Sequence, residues 1–383
     1  MKRTVLFLID SLECGGAEKS LLSLLSMIDR EHLDVYLSIV HRGGSLEKNI
    51  PSWVQLLPFP EPCRINRFLS NVLFSGCLRL LSLLGIHRHG AEIGWLCRRP
   101  FYPAFNGYFD IALAYQQGFP TYYLCKKVKA LKKISWINID MKIAGYRPKF
   151  NRPFYDRMST ICVVSEALYE IMPLEGYVKK EHLCVIRDIL NVDLIQKMAN
   201  APYESHTKNT SVKLLTVGRM VPQKNYTLAV LTAERLKSLG VDFVWTFVGN
   251  GCDRNKVESL IDSASLRYQI TLAGEQANPY PYYRHCDIYV QTSSFEGFGL
   301  TLSEAKILHK PIVTTNFPSA YDQIIDGENG LIAEMTPESV ADKIISIIEN
   351  PALKNRLIEN TRKEENRTAE TESEKVNQLL LED

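Results

Sequence analysis

Two glutamates separated by seven residues stand on either side of a glycine-containing turn in the segment Ser294–Ala305. Gly297 and Gly299 let the backbone approach a ligand closely, and the helix that they open offers N–H groups to oxygen-rich or anionic ligands. Glu296, before that helix, can hold hydroxyl groups of one part of a ligand, and Glu304, farther along it, can reach another part. In isolation, however, Glu296 could be a helix N-cap and Glu304 a buried hydrogen-bonding residue.

Four further motifs accompany this segment in a consistent order along the chain. They are Gly15-Gly16-Ala17-Glu18, Val217-Gly218-Arg219-Met220-Val221-Pro222-Gln223-Lys224-Asn225, Val248-Gly249-Asn250-Gly251 and Asp326-Gly327-Glu328-Asn329-Gly330-Leu331. With the E-x7-E segment, they resemble the motifs of the GT4-type family of retaining glycosyltransferases, which has the GT-B fold. The resemblance covers most of the sequence, and it is specific because five motifs occur together at sensible spacing.

The resemblance implies a role for each matching side chain or glycine. Gly16 offers its backbone N–H to the phosphates of a nucleotide-sugar donor, where a side chain would obstruct their approach. Arg219 and Lys224 neutralise the diphosphate as it departs, because fixed cations stabilise the negative charge that grows there. Glu296 holds hydroxyls of the donor sugar, and Glu304 binds the ribose hydroxyls.

The same resemblance implies close backbone contacts with the donor. The N–H groups of Phe298, Gly299 and Leu300 surround the sugar, and Gly249 and Gly251 make room for the nucleoside base. These five residues belong to the second half of the chain. The resemblance therefore implies that the second half binds the nucleotide sugar and that the first half lies on the acceptor side.

We predict neither a metal site nor a cofactor. The sequence contains no Asp-x-Asp, and no His, Asp and Glu residues cluster at metal-ligand spacing. Because Arg219 and Lys224 can offset the charge of the diphosphate, we predict metal-independent transfer. Retention of the anomeric configuration is implied by the family alone.

Two departures from the family pattern affect these expectations. Asn138 occupies the position where the family usually has a histidine; it can hydrogen-bond a donor-sugar hydroxyl but cannot shuttle a proton. We count Asn138 among the catalytic residues and expect any base function to fall to Asp140 or to the leaving phosphate. The second departure is an exchange of Asn and Asp at Asp188 and Asn191, which we interpret as structural.

Short apolar runs alternate with helical patterns, which predicts parallel α/β sheets. The predicted strands are 4–9, 35–40, 111–115, 133–137, 160–164, 213–217, 243–248, 269–272, 287–291 and 311–314. A polar stretch at 203–210 interrupts this alternation of strands and helices and indicates a linker. We therefore predict two doubly wound Rossmann-like domains, 1–204 and 205–360, that face a cleft, followed by a solvated helical tail, 361–383.

Composition assigns the chain to the globular proteins. Of its 383 residues, 45% are apolar and 23% are charged, which excludes a disordered chain, a collagen and a coiled coil. Nine scattered cysteines without a CxxC pair favour free thiols in a reducing compartment over disulfides or a zinc site. The apolar run 4–9 is too short for a signal peptide and predicts a buried strand. We therefore predict a cytoplasmic protein.

Positive charge is concentrated in the first half of the chain, where residues 1–200 have a balance of +8 against −6 for residues 201–383. This asymmetry indicates an anionic partner such as a membrane face, phosphates or nucleic acid. Segment 63–105 has six arginines and one acidic residue beside a leucine-rich stretch, but Arg79 argues against a membrane-spanning helix. Two alternatives stay open: an interfacial helix on anionic lipid headgroups, or a crossover helix packed on its own sheet.

The leading hypothesis is a glycosyltransferase that moves a sugar from a UDP- or GDP-linked donor to an acceptor hydroxyl. We expect the acceptor to be a lipid-linked saccharide of surface polysaccharide biosynthesis, because the basic, leucine-rich segment 63–105 lies in the acceptor half. The protein would then be peripheral at the inner face of the plasma membrane, and no nucleic-acid partner is expected. The alternatives are a nucleotide-sugar epimerase or hydrolase on the same fold, and a non-catalytic sugar-nucleotide-binding or partner protein, which Asn138 favours.

Overall fold

The computed structural model describes residues 2–13, 15–85, 88–203, 211–364 and 367–382. They form two compact units, each built around its own parallel sheet. The first unit comprises Met1–Ile189 and Ala369–Asp383, and the second comprises Leu190–Thr368. The prediction of two α/β domains with the GT-B type of fold is confirmed.

The first unit contains a seven-stranded sheet of order β3-β2-β1-β4-β5-β6-β7, in which all neighbours are parallel. The strands are β1 (Arg3–Ser11), β2 (Leu33–His41), β3 (Gln55–Leu56), β4 (Phe109–Ala114), β5 (Ala130–Ile137), β6 (Thr160–Val163) and β7 (Leu183–Val185). Residues 5–9 of β1 are fully buried, as expected for a strand covered on both faces. The strand order reverses between β1 and β4, and such a switch point is where open α/β sheets bind ligands.

The second unit contains a six-stranded parallel sheet of order β10-β9-β8-β11-β12-β13. The strands are β8 (Val212–Val217), β9 (Phe243–Val248), β10 (Ile270–Gly274), β11 (Ile288–Gln291), β12 (Ile312–Thr315) and β13 (Leu331–Ala333). The switch point of this sheet lies between β8 and β11. All ten predicted strands are present in the two sheets; β3, β7 and β13, which have two or three residues each, were not predicted.

Helices connect the strands in both units. In the first unit they are α1 (Gly16–Met27), α2 (Arg64–Leu83), α3 (Gly90–Arg98), α4 (Phe119–Lys127), α5 (Pro148–Tyr155) and α6 (Glu166–Leu174). In the second unit they are α7 (Val192–Ala199), α8 (Tyr226–Ser238), α9 (Arg254–Ser263), α10 (Tyr280–His285), α11 (Leu300–Ile307), α12 (Pro337–Glu349) and α13 (Pro351–Lys363). The last helix of the chain is α14 (Arg367–Leu381).

The predicted division into 1–204, 205–360 and a tail at 361–383 differs from these units at both boundaries. Most of the predicted linker, 204–210, lies outside the described residues. The predicted helical tail is present as α14. It is solvated on one side only, because its other face is packed into the first unit, where Val376 and Leu380 are fully buried. Its Glu372 carboxylate accepts a hydrogen bond of 2.9 Å from the backbone N–H of Arg187, which fastens the helix beside β7.

Helix α2 has an unusual environment for a helix of this length. Its inner side packs against α3, with Phe74 beside Arg98, and Ser70 is its one buried residue. Most of the surface of α2 is therefore not packed on the sheet, contrary to the alternative of a crossover helix. No helix in the described part of the chain is long and apolar enough to cross a membrane.

Candidate active site

The loops that follow β8, β9 and β11 come together at the switch point of the second sheet. β8 pairs with β9 on one side and with β11 on the other, so the chain leaves their carboxyl ends in different directions. The predicted residues of the second unit lie on these loops or on the helix α11 that follows one of them. The topology thus assembles motifs that lie more than 70 residues apart in the sequence.

The loop after β8 carries the two predicted cations. Arg219 is exposed, and its guanidinium forms no ion pair with any residue that the structure describes. Lys224 ends a short 3-10 turn, Pro222–Lys224, and its side chain is 18% exposed. The next residue, Asn225, has a left-handed backbone (φ 48°) and caps α8 by accepting a hydrogen bond from the N–H of Leu228. The turn and the cap together fix the position of Lys224.

Gly249 and Gly251 bring the loop after β9 against the loop after β8. A Cβ atom on Gly249 would lie 1.9 Å from the carbonyl oxygen of Gly218, and one on Gly251 would lie 2.3 Å from that of Met220. No side chain fits at either position, so the two backbones can touch only because both residues are glycine. The space that these glycines provide is taken by backbone, and their contact with a nucleoside base stays a prediction.

Glu296 lies at the centre of a hydrogen-bond network after β11. Its Oε1 atom is 2.6 Å from Nζ of Lys224, and it also accepts hydrogen bonds from Ser293 (2.6 Å) and Gln291 (3.3 Å). Its Oε2 atom accepts one from Gln223 at 3.1 Å. The side chain is only 8% exposed, so the pair is partly shielded from solvent. The structure thus joins two residues for which we predicted separate roles.

The turn between Glu296 and α11 is held by polar side chains from later in the chain. Gly299 has a positive φ of 92° at the N-cap of α11, a conformation that glycine adopts at no steric cost. Gln323 donates hydrogen bonds to the carbonyls of Phe298 (2.6 Å) and Gly299 (3.3 Å), and Ser319 donates one to that of Glu296 (3.0 Å). Sequence reasoning missed Gln323 and Ser319, since they belong to no recognisable motif.

Glu304 lies on α11 and is 1% exposed. Its two carboxylate oxygens accept hydrogen bonds from the hydroxyls of Tyr280 (3.1 Å) and Tyr283 (2.9 Å). Burial raises the pKa of Tyr283 well above its ordinary value, and the Glu304 carboxylate raises it further, so that hydroxyl stays protonated and donates. This geometry fits the alternative that Glu304 is a buried hydrogen-bonding residue. The contact of Glu304 with ribose stays a prediction.

The predicted residues of the first unit lie at the carboxyl edge of its own sheet. Gly16 is exposed and begins α1, after the loop that follows β1. Asn138 follows β5; its Nδ2 donates to the carbonyl of Tyr115 at 2.8 Å, and its backbone N–H donates to Gln117 at 3.0 Å. The Oδ1 atom of Asn138 is buried and accepts no hydrogen bond from a described residue. It is therefore the part of this side chain that can accept a hydrogen bond from a hydroxyl.

Asp140, a candidate base in the sequence, is 8% exposed and accepts a hydrogen bond of 3.0 Å from the backbone N–H of Ile143. This contact stabilises the turn that follows β5. Asn191, one of the exchanged pair, caps α7 through a hydrogen bond of 2.9 Å from the N–H of Leu194. The side chain of Asn191 therefore has a structural role.

Asp188, the other member of that pair, is a titratable group whose behaviour sequence reasoning missed. Its Oδ1 atom is buried and accepts no hydrogen bond within the described part of the chain. Burial raises the pKa of Asp188 to about 7; a hydrogen bond with Ser20 opposes this rise, and the Glu18 carboxylate adds to it. Ser20 itself lies 2.9 Å from the hydroxyl of Tyr115 and accepts from the N–H of Ile189. The carboxyl of Asp188 is thus held among polar groups next to the start of α1.

Residues 200–364 match the family described as glycosyl transferases group 1. Among curated relatives is the poly(ribitol-phosphate) alpha-N-acetylglucosaminyltransferase of Staphylococcus aureus, 28% identical over 172 residues, which are 44% of this chain and 34% of that protein. Another is the N-acetylgalactosamine-N,N'-diacetylbacillosaminyl-diphospho-undecaprenol 4-alpha-N-acetylgalactosaminyltransferase of Campylobacter jejuni, 31% identical over 127 residues, 33% of this chain and 34% of the relative. The chain spans less than half of the length of the curated relatives it matches.

Solved structures match over almost the whole chain. HepE of Anabaena in complex with UDP and glucose has a TM-score of 0.74 at 16% identity, covering 99% of both chains. A glycosyltransferase from Rickettsia africae has a TM-score of 0.71 at 18% identity, covering 99% of this chain and 98% of that one. These likenesses establish the two-unit fold. The sequence matches to glycosyl transferases group 1 and to the glycosyltransferase relatives support the resemblance to the GT4-type family.

The raised pKa of Asp188 predicts a dependence of stability on pH. In the folded protein this carboxyl titrates near 7, whereas in the unfolded chain it titrates near 4. The stability that its protonated form contributes is therefore fully present below about pH 4 and is lost as the pH rises through about 7. Asp188→Asn should increase the free energy of unfolding by at most about 4 kcal/mol at pH 8 and by at most about 1.4 kcal/mol at pH 5.

Urea denaturation at the two pH values measures this difference. Asp156→Asn, at an exposed position of the same unit, is the control and should have the same small effect at both. Equal effects of Asp188→Asn at pH 5 and pH 8 would contradict the assignment.

Proposed function

We propose that this protein is a retaining glycosyltransferase that uses a UDP- or GDP-linked sugar. The premise is that residues 200–364 match the glycosyl transferases group 1 family. The observation that carries the proposal is the ion pair between Lys224 and Glu296 at the switch point of the second sheet. Arg219, on the same loop as Lys224, forms no ion pair with any described residue. Two cations and a carboxylate at one sheet edge can bind a ligand that carries both phosphates and hydroxyls. HepE, which has this fold and is described with UDP and glucose, supports a UDP-linked donor.

In the proposed reaction, covalent bonds form and break only in the donor and the acceptor. The bond between the anomeric carbon and the diphosphate oxygen breaks, and the electron pair stays with the diphosphate. The acceptor oxygen bonds to the same face of that carbon, and its proton passes to the oxygen of the departing phosphate. Arg219 and Lys224 contribute by stabilising the negative charge of the leaving group, an effect that is largest when the cations are already in position.

Donor binding requires Lys224 and Glu296 to exchange partners. Without a donor, the ammonium and the carboxylate neutralise each other at 2.6 Å. With the donor bound, Lys224 turns to the diphosphate and Glu296 accepts hydrogen bonds from sugar hydroxyls. Glu296 retains its hydrogen bonds from Gln223, Gln291 and Ser293 after Lys224 leaves, so its charge is not left without partners.

The resemblance also assigns roles in the first unit, and these belong to the proposal. Gly16, exposed at the start of α1, offers its N–H to phosphate, and Oδ1 of Asn138 accepts a hydrogen bond from a donor-sugar hydroxyl. The family's usual histidine is absent, which also favours a second candidate function, a non-catalytic sugar-nucleotide-binding protein. Turnover of donor in the presence of acceptor separates the two, because a binding protein consumes no donor.

Helix α2 supports a lipid-linked acceptor and a place at the cytoplasmic face of a membrane. At 3.6 residues per turn, the large apolar residues Ile65, Phe68, Val72 and Leu83 share one face, and each is between 55% and 85% exposed. Exposed apolar surface of this extent on one helix marks an interaction surface. The relative named for transfer to a diphospho-undecaprenol-linked saccharide is consistent with a lipid-borne acceptor.

The charge distribution of α2 favours an anionic membrane as the partner of its apolar face. Arg64, at the start of α2, lies next to the apolar face, and Arg79, in its last quarter, lies on that face between Phe68 and Val72 in the helical projection. Both have long cationic side chains that can reach lipid phosphates. No acidic residue occurs between 62 and 91, so nothing on the helix repels anionic lipid. We propose that α2 lies in the plane of an anionic membrane with its apolar face in the acyl region.

Removing either member of the ion pair should slow transfer while the fold remains. Lys224→Ala removes a cation from the leaving group, and Glu296→Ala removes the acceptor for sugar hydroxyls. Each should lower kcat by about 10²–10³, as expected for one lost electrostatic contact in a transition state. Sugar transfer from radiolabelled donor gives the rates, and circular dichroism reports the fold. Lys256→Ala, at an exposed position on α9, is the control, and wild-type rates in both test variants would contradict the proposal.

Chelation should leave the rate of transfer unchanged, since Arg219 and Lys224 supply the positive charge that a divalent ion would otherwise supply. No group of three or more His, Cys, Asp or Glu residues suited to a metal occurs among the described residues. The measurement compares initial rates in EDTA with rates after Mg²⁺ or Mn²⁺ is added back. A loss in EDTA that either ion restores would show that transfer depends on a metal.

The apolar face of α2 should account for binding to vesicles. Phe68→Ser with Val72→Ser removes two side chains that would each contribute about 1.5–3 kcal/mol on burial, so affinity for phosphatidylglycerol vesicles should fall at least about tenfold. Arg64→Gln with Arg79→Gln should weaken binding to anionic vesicles in a salt-dependent manner. Leu174→Ser, at a residue 85% exposed on α6, is the control. Unchanged vesicle sedimentation by the Phe68/Val72 variant would refute the membrane proposal.

A further inference from the structure

A pocket of about 250 Å³ opens in the first unit beside the carboxyl ends of β1 and β2. Asp10 and His41 come from those two strands, and Arg98 comes from the end of α3. Tyr102 and Phe119 contribute aromatic surface, with ring centroids 5.3 Å apart. The pocket therefore combines an acid, two potential cations and two aromatic rings at the edge where α/β sheets bind ligands.

Small residues on α3 keep this pocket open. A Cβ atom on Gly90 would meet no other atom within 4 Å, and one on Gly94 would meet only the Phe74 ring at 3.7 Å, an ordinary contact. Packing within the protein does not require glycine at either position, so the space in front of them is available to a ligand.

Arg98 lacks an anionic partner. Its guanidinium lies 4.5 Å from the centroid of the Phe74 ring on α2, and Nη2 donates a long hydrogen bond of 3.3 Å to Asn71. The Nε–H is buried and has no acceptor, and no acidic residue in the described part of the chain forms an ion pair with this side chain. A buried donor without a partner destabilises the folded protein. A ligand phosphate at this point would satisfy the guanidinium and its charge together.

Asp10 provides the opposite chemistry on another wall of the pocket. Its Oδ1 lies 4.0 Å from Nε2 of His41, and its side chain is 45% exposed. Burial raises the pKa of Asp10, while the nearby His41 and Arg98 lower it. A carboxylate that is accessible and not bonded to backbone donors is suited to accept hydrogen bonds from the hydroxyls of a sugar.

We infer that this pocket binds a saccharide that carries a phosphate, with the phosphate on Arg98 and the sugar hydroxyls on Asp10. The inference rests on the proposed function, in which this ligand is the acceptor. Arg98 contacts Phe74 and Asn71 of α2, so the phosphate end of the ligand lies next to the helix that we propose to lie on the membrane. The phosphate can belong to a free sugar phosphate or to a lipid diphosphate, which present the same oxygens to Arg98.

Calorimetry with purified protein tests this inference, with UDP or GDP, whichever binds, present at saturation so that the nucleotide site is filled. The probes are N-acetylglucosamine 1-phosphate, N-acetylglucosamine and inorganic phosphate. The sugar phosphate should bind at least about tenfold more tightly than either of the others, a difference of about 1.4 kcal/mol. Arg98→Gln and Asp10→Asn should each lose about tenfold or more in affinity. Arg99→Gln, at the exposed neighbouring position, is the matched control.

A variant that fills the pocket provides an independent check on Arg98→Gln and Asp10→Asn. Gly90→Leu places a side chain where the structure has open space, so it should fold normally and abolish binding of the sugar phosphate. Wild-type affinity in Gly90→Leu and Arg98→Gln would overturn the inference, as would equal affinities for the sugar phosphate and phosphate alone. A second arm presents the sugar on a diphosphate-linked alkyl chain in vesicles. Tighter binding there identifies a lipid-borne ligand, and equal binding identifies a free one.

The two proposals fail in different ways in this experiment. If neither UDP nor GDP binds to the wild type, the proposed function fails. If nucleotide binding is intact but no variant of the pocket alters binding of the sugar phosphate, only the present inference fails.

Discussion

The contact between Lys224 and Glu296 is the interaction that joins the two loops of the candidate site in the second unit. It joins residues 72 positions apart, and it forms because β8 and β11 are neighbours although two strands and three helices separate them in sequence. A charged pair that is mostly shielded from solvent is stable only when further hydrogen bonds satisfy the remaining polar atoms. Gln223, Gln291 and Ser293 supply those bonds to Glu296, so the site is ordered before a ligand arrives.

The first unit differs from the second in the groups that it leaves exposed or unsatisfied. Its net positive charge coincides with a helix, α2, whose apolar face is exposed, and with a pocket whose arginine forms no ion pair with a described residue. Exposed apolar surface and an unsatisfied guanidinium both raise the free energy of a protein in water. A phosphate would satisfy the guanidinium, and a lipid surface would also cover the apolar face. Under the proposed function, the first unit is thus suited to anionic, partly apolar ligands, and the second unit supplies charged groups for a nucleotide sugar.

Local sequence predicted ten of the strands, since a parallel strand buried on both faces is a continuous apolar run such as residues 5–9 of β1. It missed Gln55–Leu56 and Leu331–Ala333, because two or three residues carry no periodicity. It also could not locate the partners of Glu304 or Arg98. Tyr283 and Phe74 reach those side chains only through the packing of separate helices, and no spacing rule relates them. The docking of α14 on the first unit likewise depends on contacts between distant segments.

The identity of residue 138 constrains how a proton could move under the proposed function. Asn138 uses Nδ2 on the carbonyl of Tyr115, and Asp140 is engaged by the N–H of Ile143, so neither side chain is arranged as a base. The proton of the acceptor hydroxyl must then go to the leaving phosphate. Full neutralisation by two cations would make that phosphate a weak base. Arg219 and Lys224 must therefore offset only part of the negative charge of the diphosphate, so that its oxygen stays basic enough to accept the proton.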